Sequence, residues 1–232
     1  MKYPPIDFNY WLAKWTENVG NIPVYRNVNI LPWSDFQGNL MDCENEILNI
    51  IQQDILNDED ILKVVDLINQ WGGKTARMFY VQGKGNKSPR ELIMSDPNLQ
   101  HYKDGIELAK GNDYRAVNEF LKVYGIGHSF MGKHAQFWSN FSMVILDQKI
   151  AGTLGYKTPQ LLISLNTYNE FMNHINIIRD NNELNNSVEV ERALFAFHSN
   201  YFDNSNTRFR NGITDYTDQE YANCIAQILD IN

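Results

Sequence analysis

Lys133 and Asp147 are the residues of this chain whose types, order and surroundings could carry chemistry. The lysine lies in Gly125-Ile-Gly-His-Ser-Phe-Met-Gly-Lys-His-Ala-Gln-Phe-Trp138, and the aspartate ends Ile145-Leu146-Asp147, fourteen residues later. A lysine amine that is neutral when it attacks an electrophilic carbon forms a covalent Schiff base, and desolvation or a nearby cation brings an amine to that state. A carboxylate beside the same carbon stabilises the positive charge that develops as a bond there breaks. Cleavage of an N-glycosidic bond can use both groups, because the sugar becomes cationic as the base departs. The covalent intermediate also permits elimination of the 3′ phosphate; a reaction through water alone needs the aspartate and no lysine.

Helices must position this pair, since the apolar spacing is helical over most of the chain. Phe8, Trp11, Leu12 and Trp15 fall at i, i+3, i+4 and i+7, which predicts a helix over 6–18. Ile47, Leu48, Ile51 and Ile55 repeat the pattern after Asp42, read as an N-cap. A third helix begins near Asp58, runs through Ile61, Leu62, Val65 and Ile68, and stops at Gly72-Gly73. Pro89 opens a short helical turn, Pro97 a helix to Lys110, and Asp113 caps a segment that stops at Gly125. The helix carrying Lys133 starts at Ser129 and brings Phe137 and Trp138 one turn on. Ser142 to Leu146 is a short connector or strand that delivers Asp147 to a helix N-cap position. Further helices are expected over 158–178, 187–200 and 216–230, with polar loops at 37–39, 83–88, 180–187 and 203–215. There is no internal repeat.

A chain of 232 residues with 43% apolar content can bury a core as one domain or two closely packed lobes. It has no apolar run of about 18 residues, and the start MKYPPIDFNYWLAKW carries two prolines and an acid where a secretion signal has an uninterrupted apolar core. The expectation is a cytoplasmic protein with no membrane partner. Cys43 and Cys224 lie far apart with no C-x-x-C partner, so both are expected as free core thiols. His101, His128, His134, His174 and His198 are read as forming no pair at ligand spacing with an acid or cysteine, so neither a catalytic metal nor a cofactor is expected. A cation held by backbone carbonyls of the 125–127 turn stays open.

The net charge of −8 runs against a polyanionic partner. The acids, however, concentrate in 42–66 and 180–191, whereas 122–157 holds Lys122, Lys133, Lys149 and Lys157 with Asp147 as its only acid. Gly72-Gly73-Lys74-Thr75 imitates the end of a phosphate-binding loop, but Ile68 stands where the first glycine is required and a helix precedes it, which excludes ATP binding. Lys74 and Arg77 are ordinary surface charge or part of a basic edge facing DNA.

Over residues 112–152 the chain resembles the helix-hairpin-helix DNA glycosylase superfamily, and within it the bacterial 8-oxoguanine glycosylase-like branch. The likeness rests on a helix, the Gly125-Ile126-Gly127 turn, Ser129-Phe130, Lys133 followed by Phe137 and Trp138, then Ile145-Leu146-Asp147 and Lys149-Ile150-Ala151. Trp71-Gly72-Gly73 extends it. Two features depart from the family pattern: Lys133 lies six residues beyond Gly127, and Gly132 precedes it where a serine is more typical.

The resemblance implies an all-α fold of two helical lobes flanking a cleft, with 1–232 a single glycosylase-like unit. It implies Lys133 as nucleophile, Asp147 as electrostatic and proton-handling partner, and Gly125, Gly127, His128, Ser129 and Lys149 at the DNA backbone. Phe137, Trp138 and Trp71 are candidate walls for a base taken out of the stack, with Phe195, Phe197 and His198 as further aromatics. The implied enzyme is a monomer that acts on double-stranded DNA containing a modified base, with an oxidised purine as default substrate and an AP lyase step. Two alternatives stay open: a glycosylase acting on modified bases of bacteriophage DNA in antiviral defence, and a non-catalytic helical module that binds nucleic acid or protein.

Overall fold

Asparagine and aspartate three residues apart mark two helix starts. In the computed structural model, which describes residues 6–24, 36–72, 89–123, 126, 128–146, 150 and 165–201, Asn39 and Asn57 each accept from a backbone N–H three residues on. Asp42 and Asp60 return the bond to the asparagine N–H. These reciprocal boxes open α2 (Leu40–Ile51) and α3 (Asp58–Trp71) and satisfy donors the helix cannot, worth about 1 kcal/mol per cap. Asp42 is therefore the third residue of α2, not its cap. Asn39 takes that position because its backbone is extended (φ −88°, ψ 178°), as a cap requires. Ile55 does not extend the apolar stripe: α2 ends at Ile51 and Ile55 is 85% exposed.

The other helices are α1 (Phe8–Trp15), which continues as a π-helical turn (Thr16–Gly20), α4 (Pro89–Ile93), α5 (Asn98–Lys110), α6 (Ala116–Lys122), α7 (His128–Trp138), α8 (Leu165–Asn181) and α9 (Ser187–Tyr201). The protein is mostly helical. Among the described residues the sole extended pairing is a single bridge between Pro23 and Asn39, and the segment from Ser142 to Leu146 is a connector, not a strand. The first part of the helix expected over 158–178, all of that expected over 216–230, and the loops at 83–88 and 203–215 lie outside the described residues.

The chain divides into two compact units, Met1–Glu17 with Val144–Asn232, and Asn18–Met143. In the first, α9 packs on α1 and α8. Trp11 meets Phe197 edge-on at 5.7 Å, the Arg192 guanidinium lies 4.2 Å over the Trp15 ring, and Tyr168 Oη donates to the Val144 carbonyl at 2.8 Å.

In the second unit α7 is central, packed against α2, α3, α5 and α6. Ile47, Val64, Val65 and Ile68 line the α2 and α3 sides without exposure, each contributing about 1.5–3 kcal/mol by burial. Cys43 is a core thiol as expected: it donates to the Leu67 carbonyl at 3.6 Å, and burial pushes its pKa up to about 12. Cys224 lies outside the described residues. On the other side α5 and α6 approach closely because position 105 is glycine; a Cβ there would stand 2.8 Å from the Phe120 ring. No helix among the described residues is long and apolar enough to cross a membrane.

Candidate functional site

A helix enclosed by four others must bury its whole circumference, and α7 does so with polar residues aboard. Every residue from Phe130 to Ser139 is buried, including Lys133 at 8% exposure, His134 and Gln136. Lysine is almost never so enclosed without a task or a partner. The Lys133 Nζ stands 5.2 Å from the centroid of the Phe130 ring, one turn back on the same face, where the ring's negative face attracts a cation.

Phe137, one turn further on, is fully buried and meets Trp71 edge-on at 5.3 Å and Phe141 at 5.6 Å. Trp71 ends α3 and is partly exposed; its indole N–H donates to Glu44 Oε1 at 3.0 Å. Phe197 and His198 are fully buried on α9, in the other unit.

Trp138 points elsewhere. Its indole N–H donates to Tyr102 Oη at 2.9 Å, and Tyr102 lies 2.7 Å from His134 Nδ1. The Trp138 N–H takes one lone pair of Tyr102 Oη, and donation of the Tyr102 proton to Nδ1 corresponds to the imidazole tautomer that carries its own proton on Nε2. Burial first, and then the neighbouring Lys133 charge, push the His134 pKa down to about 3, which keeps the ring neutral near pH 7. Burial likewise raises the Tyr102 hydroxyl above its ordinary range. This network couples α5 to α7 and helps fix the rotation of α7.

Gln136 lies one turn from Lys133 and is fully buried, yet neither of its amide atoms finds a hydrogen-bond partner. An unsatisfied buried polar atom costs about 1–3 kcal/mol, so this side chain needs an explanation other than packing. After α7 the chain turns through two left-handed residues, Asn140 (φ 48°) and Phe141 (φ 66°). The Phe141 N–H donates to the Gln136 carbonyl and the Met143 N–H to Ser139 Oγ, which hold that turn. Val144, Ile145 and Leu146, which lead toward position 147, are all buried.

Asp147, Lys149, Gly125 and Gly127 lie outside the described residues, as do Lys74 and Arg77. His128 and Ser129 are the first two residues of α7; α7 thus starts one residue before the expected position.

Against the expectation, one histidine does pair with an acid at ligand spacing. His101 and Asp104 stand one turn apart on α5, and with Glu119 of α6 their ligand atoms lie within 4.8 Å of one another. The His101 and Asp104 spacing is readable in the chain; Glu119 joins only through helix packing. Neither Gln136 nor the Tyr102, His134 and Trp138 network carries a sequence signal, because each depends on what surrounds α7. Compared with known proteins, the chain matches no family model, no curated protein and no solved structure.

Proposed function

We propose that this protein is a DNA glycosylase that excises a modified base through a covalent Schiff base on Lys133, with an AP lyase step following. The observation that carries the reading is the enclosure of Lys133 in the middle of α7. An amine taken out of water gives up the hydration that favours its charged form, and the neutral amine is the nucleophile. The position of the lysine in the order Gly125, Gly127, Lys133, Asp147 adds the family resemblance to that physical argument.

In the proposed reaction the bond from C1′ of the deoxyribose to the base nitrogen breaks and its electron pair leaves with the base, which takes up a proton. Lys133 Nζ forms the new bond to C1′; opening of the sugar ring and loss of a proton from nitrogen give the Schiff base. Abstraction of a C2′ proton then expels the 3′ phosphate. Asp147, by its place in the sequence, stabilises the cationic sugar. Phe137 shares a helix face with Lys133 and backs Trp71, whose partly exposed ring is proposed to hold the displaced base. Trp138 acts through Tyr102 to set the orientation of α7. An oxidised purine is the default substrate.

The test is borohydride trapping on duplexes carrying oxidised purines or bulky modified pyrimidines, with released bases identified by mass spectrometry. Wild-type chain is expected to become covalently joined to one of these duplexes, and Lys133→Ala is not. Absence of any covalent product and any free base across the panel would overturn the reading. A salt-dependent shift of plain duplex without base release would point instead to a binding module.

A further inference from the structure

We propose a second site, independent of the glycosylase reading: His101, Asp104 and Glu119 bind a divalent transition-metal ion, zinc in the first instance, across the α5–α6 hairpin. The three residues are brought together by the close approach described above. Gly105 and Phe120, whose contact sets the distance between the helices, are the chain neighbours of Asp104 and Glu119. The ligand atoms thereby converge to within 4.8 Å of one another.

The geometry between His101 and Glu119 points to a shared ion and not to a hydrogen bond. His101 Nδ1 lies 3.5 Å from Glu119 Oε2. The approach does not make a hydrogen bond, and Nδ1 is shielded from solvent with no hydrogen-bond partner. Two atoms bound to one ion at about 2.1 Å with tetrahedral angles stand about 3.4 Å apart. Asp104 is exposed and can close the remaining distance by rotation.

Outer contacts orient both carboxylates. Lys122 Nζ donates to Glu119 Oε1 at 2.6 Å, and Gln100 Nε2 to Asp104 Oδ1 at 2.8 Å, each leaving the second oxygen for the ion. The lysine is half exposed, so its like charge is screened and mobile. One imidazole nitrogen with two carboxylate oxygens suits zinc and its first-row neighbours better than calcium or magnesium, which prefer all-oxygen sites. Water fills the fourth position. The ion ties α5 to α6, the helix that leads into the Gly125–Gly127 segment.

The experiment uses the untagged full chain, stripped with a chelator and titrated with zinc chloride in a calorimeter. One equivalent should bind and raise the unfolding midpoint. His101→Gln, Asp104→Asn and Glu119→Gln should each weaken zinc by about tenfold or more, while His174→Gln, in the other unit, should not. Failure of the wild-type chain to bind, or undiminished binding by the three variants, would overturn the site. If the variants lose helical circular dichroism, imidazole resonances of the wild-type chain decide. Zinc must shift those of His101; shifts confined to other histidines, or none, reject the proposal.

Discussion

Two helices of the same unit, α3 and α7, both carry polar side chains into the core and treat them in opposite ways. On α3, Asp66 accepts from Arg90 Nε at 2.8 Å, Gln70 donates to the Phe36 carbonyl at 3.0 Å, and Asn69 donates to the Val65 carbonyl at 2.8 Å. Asp66 and Gln70 each hold a neighbouring segment and Asn69 bonds within its own helix; Asn69 Oδ1 is the atom left without a partner. On α7, His134 is held by Tyr102 and Lys133 lies over the Phe130 ring, but Gln136 has neither amide atom satisfied. Polar residues that serve stability are paired. The Gln136 amide of α7 is not, the pattern expected where a helix is shaped for chemistry at some expense of stability.

The largest expected effect separates the two helices by function. Lys133→Gln should lower single-turnover base release by several orders of magnitude with a thermal unfolding midpoint close to wild type. Asp66→Asn, equally buried on α3, should change stability and leave turnover intact. Full base release by Lys133→Gln would erase the proposed distinction.

Next in size is the dependence of stability on pH, where the helices pull in opposite directions. Burial pushes the Asp66 carboxyl from 3.8 up to about 7 against the pull of Arg90. The folded state therefore holds the Asp66 proton more tightly than the unfolded state, and this contribution, full below pH 3.8, is lost as pH rises through about 7. His134 is depressed from 6.5 to about 3, so its contribution is full above pH 6.5 and lost as pH falls through about 3. Between about pH 4 and 6.5 the two slopes oppose each other. In urea denaturation across that range, Asp66→Asn should make stability rise more steeply with pH, and His134→Gln should make it fall. The same slope in both variants would show that these groups do not titrate as their surroundings dictate.

The same contrast governs what could be read from the chain. The α3 helix is legible at both ends because local chemistry decides it: Asn57 caps, three acids fill the first turn, and Gly72 follows the last apolar residue. Even so, α2 shows the limit, since Asn39 and Asp42 are both capping types and only the extended backbone of Asn39 separates them. The existence of α7 and the type of Lys133 are legible; its burial is not, because the enclosing helices come from elsewhere in the chain. Tyr102 reaches His134 across 32 residues, and no local pattern encodes that pairing. Glu119 meets His101 and Asp104 only because a glycine lets α6 approach α5.

The smallest expected loss of stability is the most discriminating for α7. Gln70→Leu on α3 removes the partner of the Phe36 carbonyl and should destabilise by about 1–3 kcal/mol. Gln136→Leu deletes an amide that satisfies nothing in the fold, and replaces it with an apolar side chain of similar volume. By the same accounting of hydrogen bonds it should not destabilise, and relief of the unsatisfied amide should stabilise by about 1–3 kcal/mol. If Gln136 is retained for packing alone, base release by Gln136→Leu will match wild type. If it is retained to meet a substrate group one turn from Lys133, release will fall or change its base preference while the unfolding midpoint does not fall. Paired measurements of denaturation and base release on these two glutamines therefore test whether the unsatisfied amide belongs to the core or to the reaction.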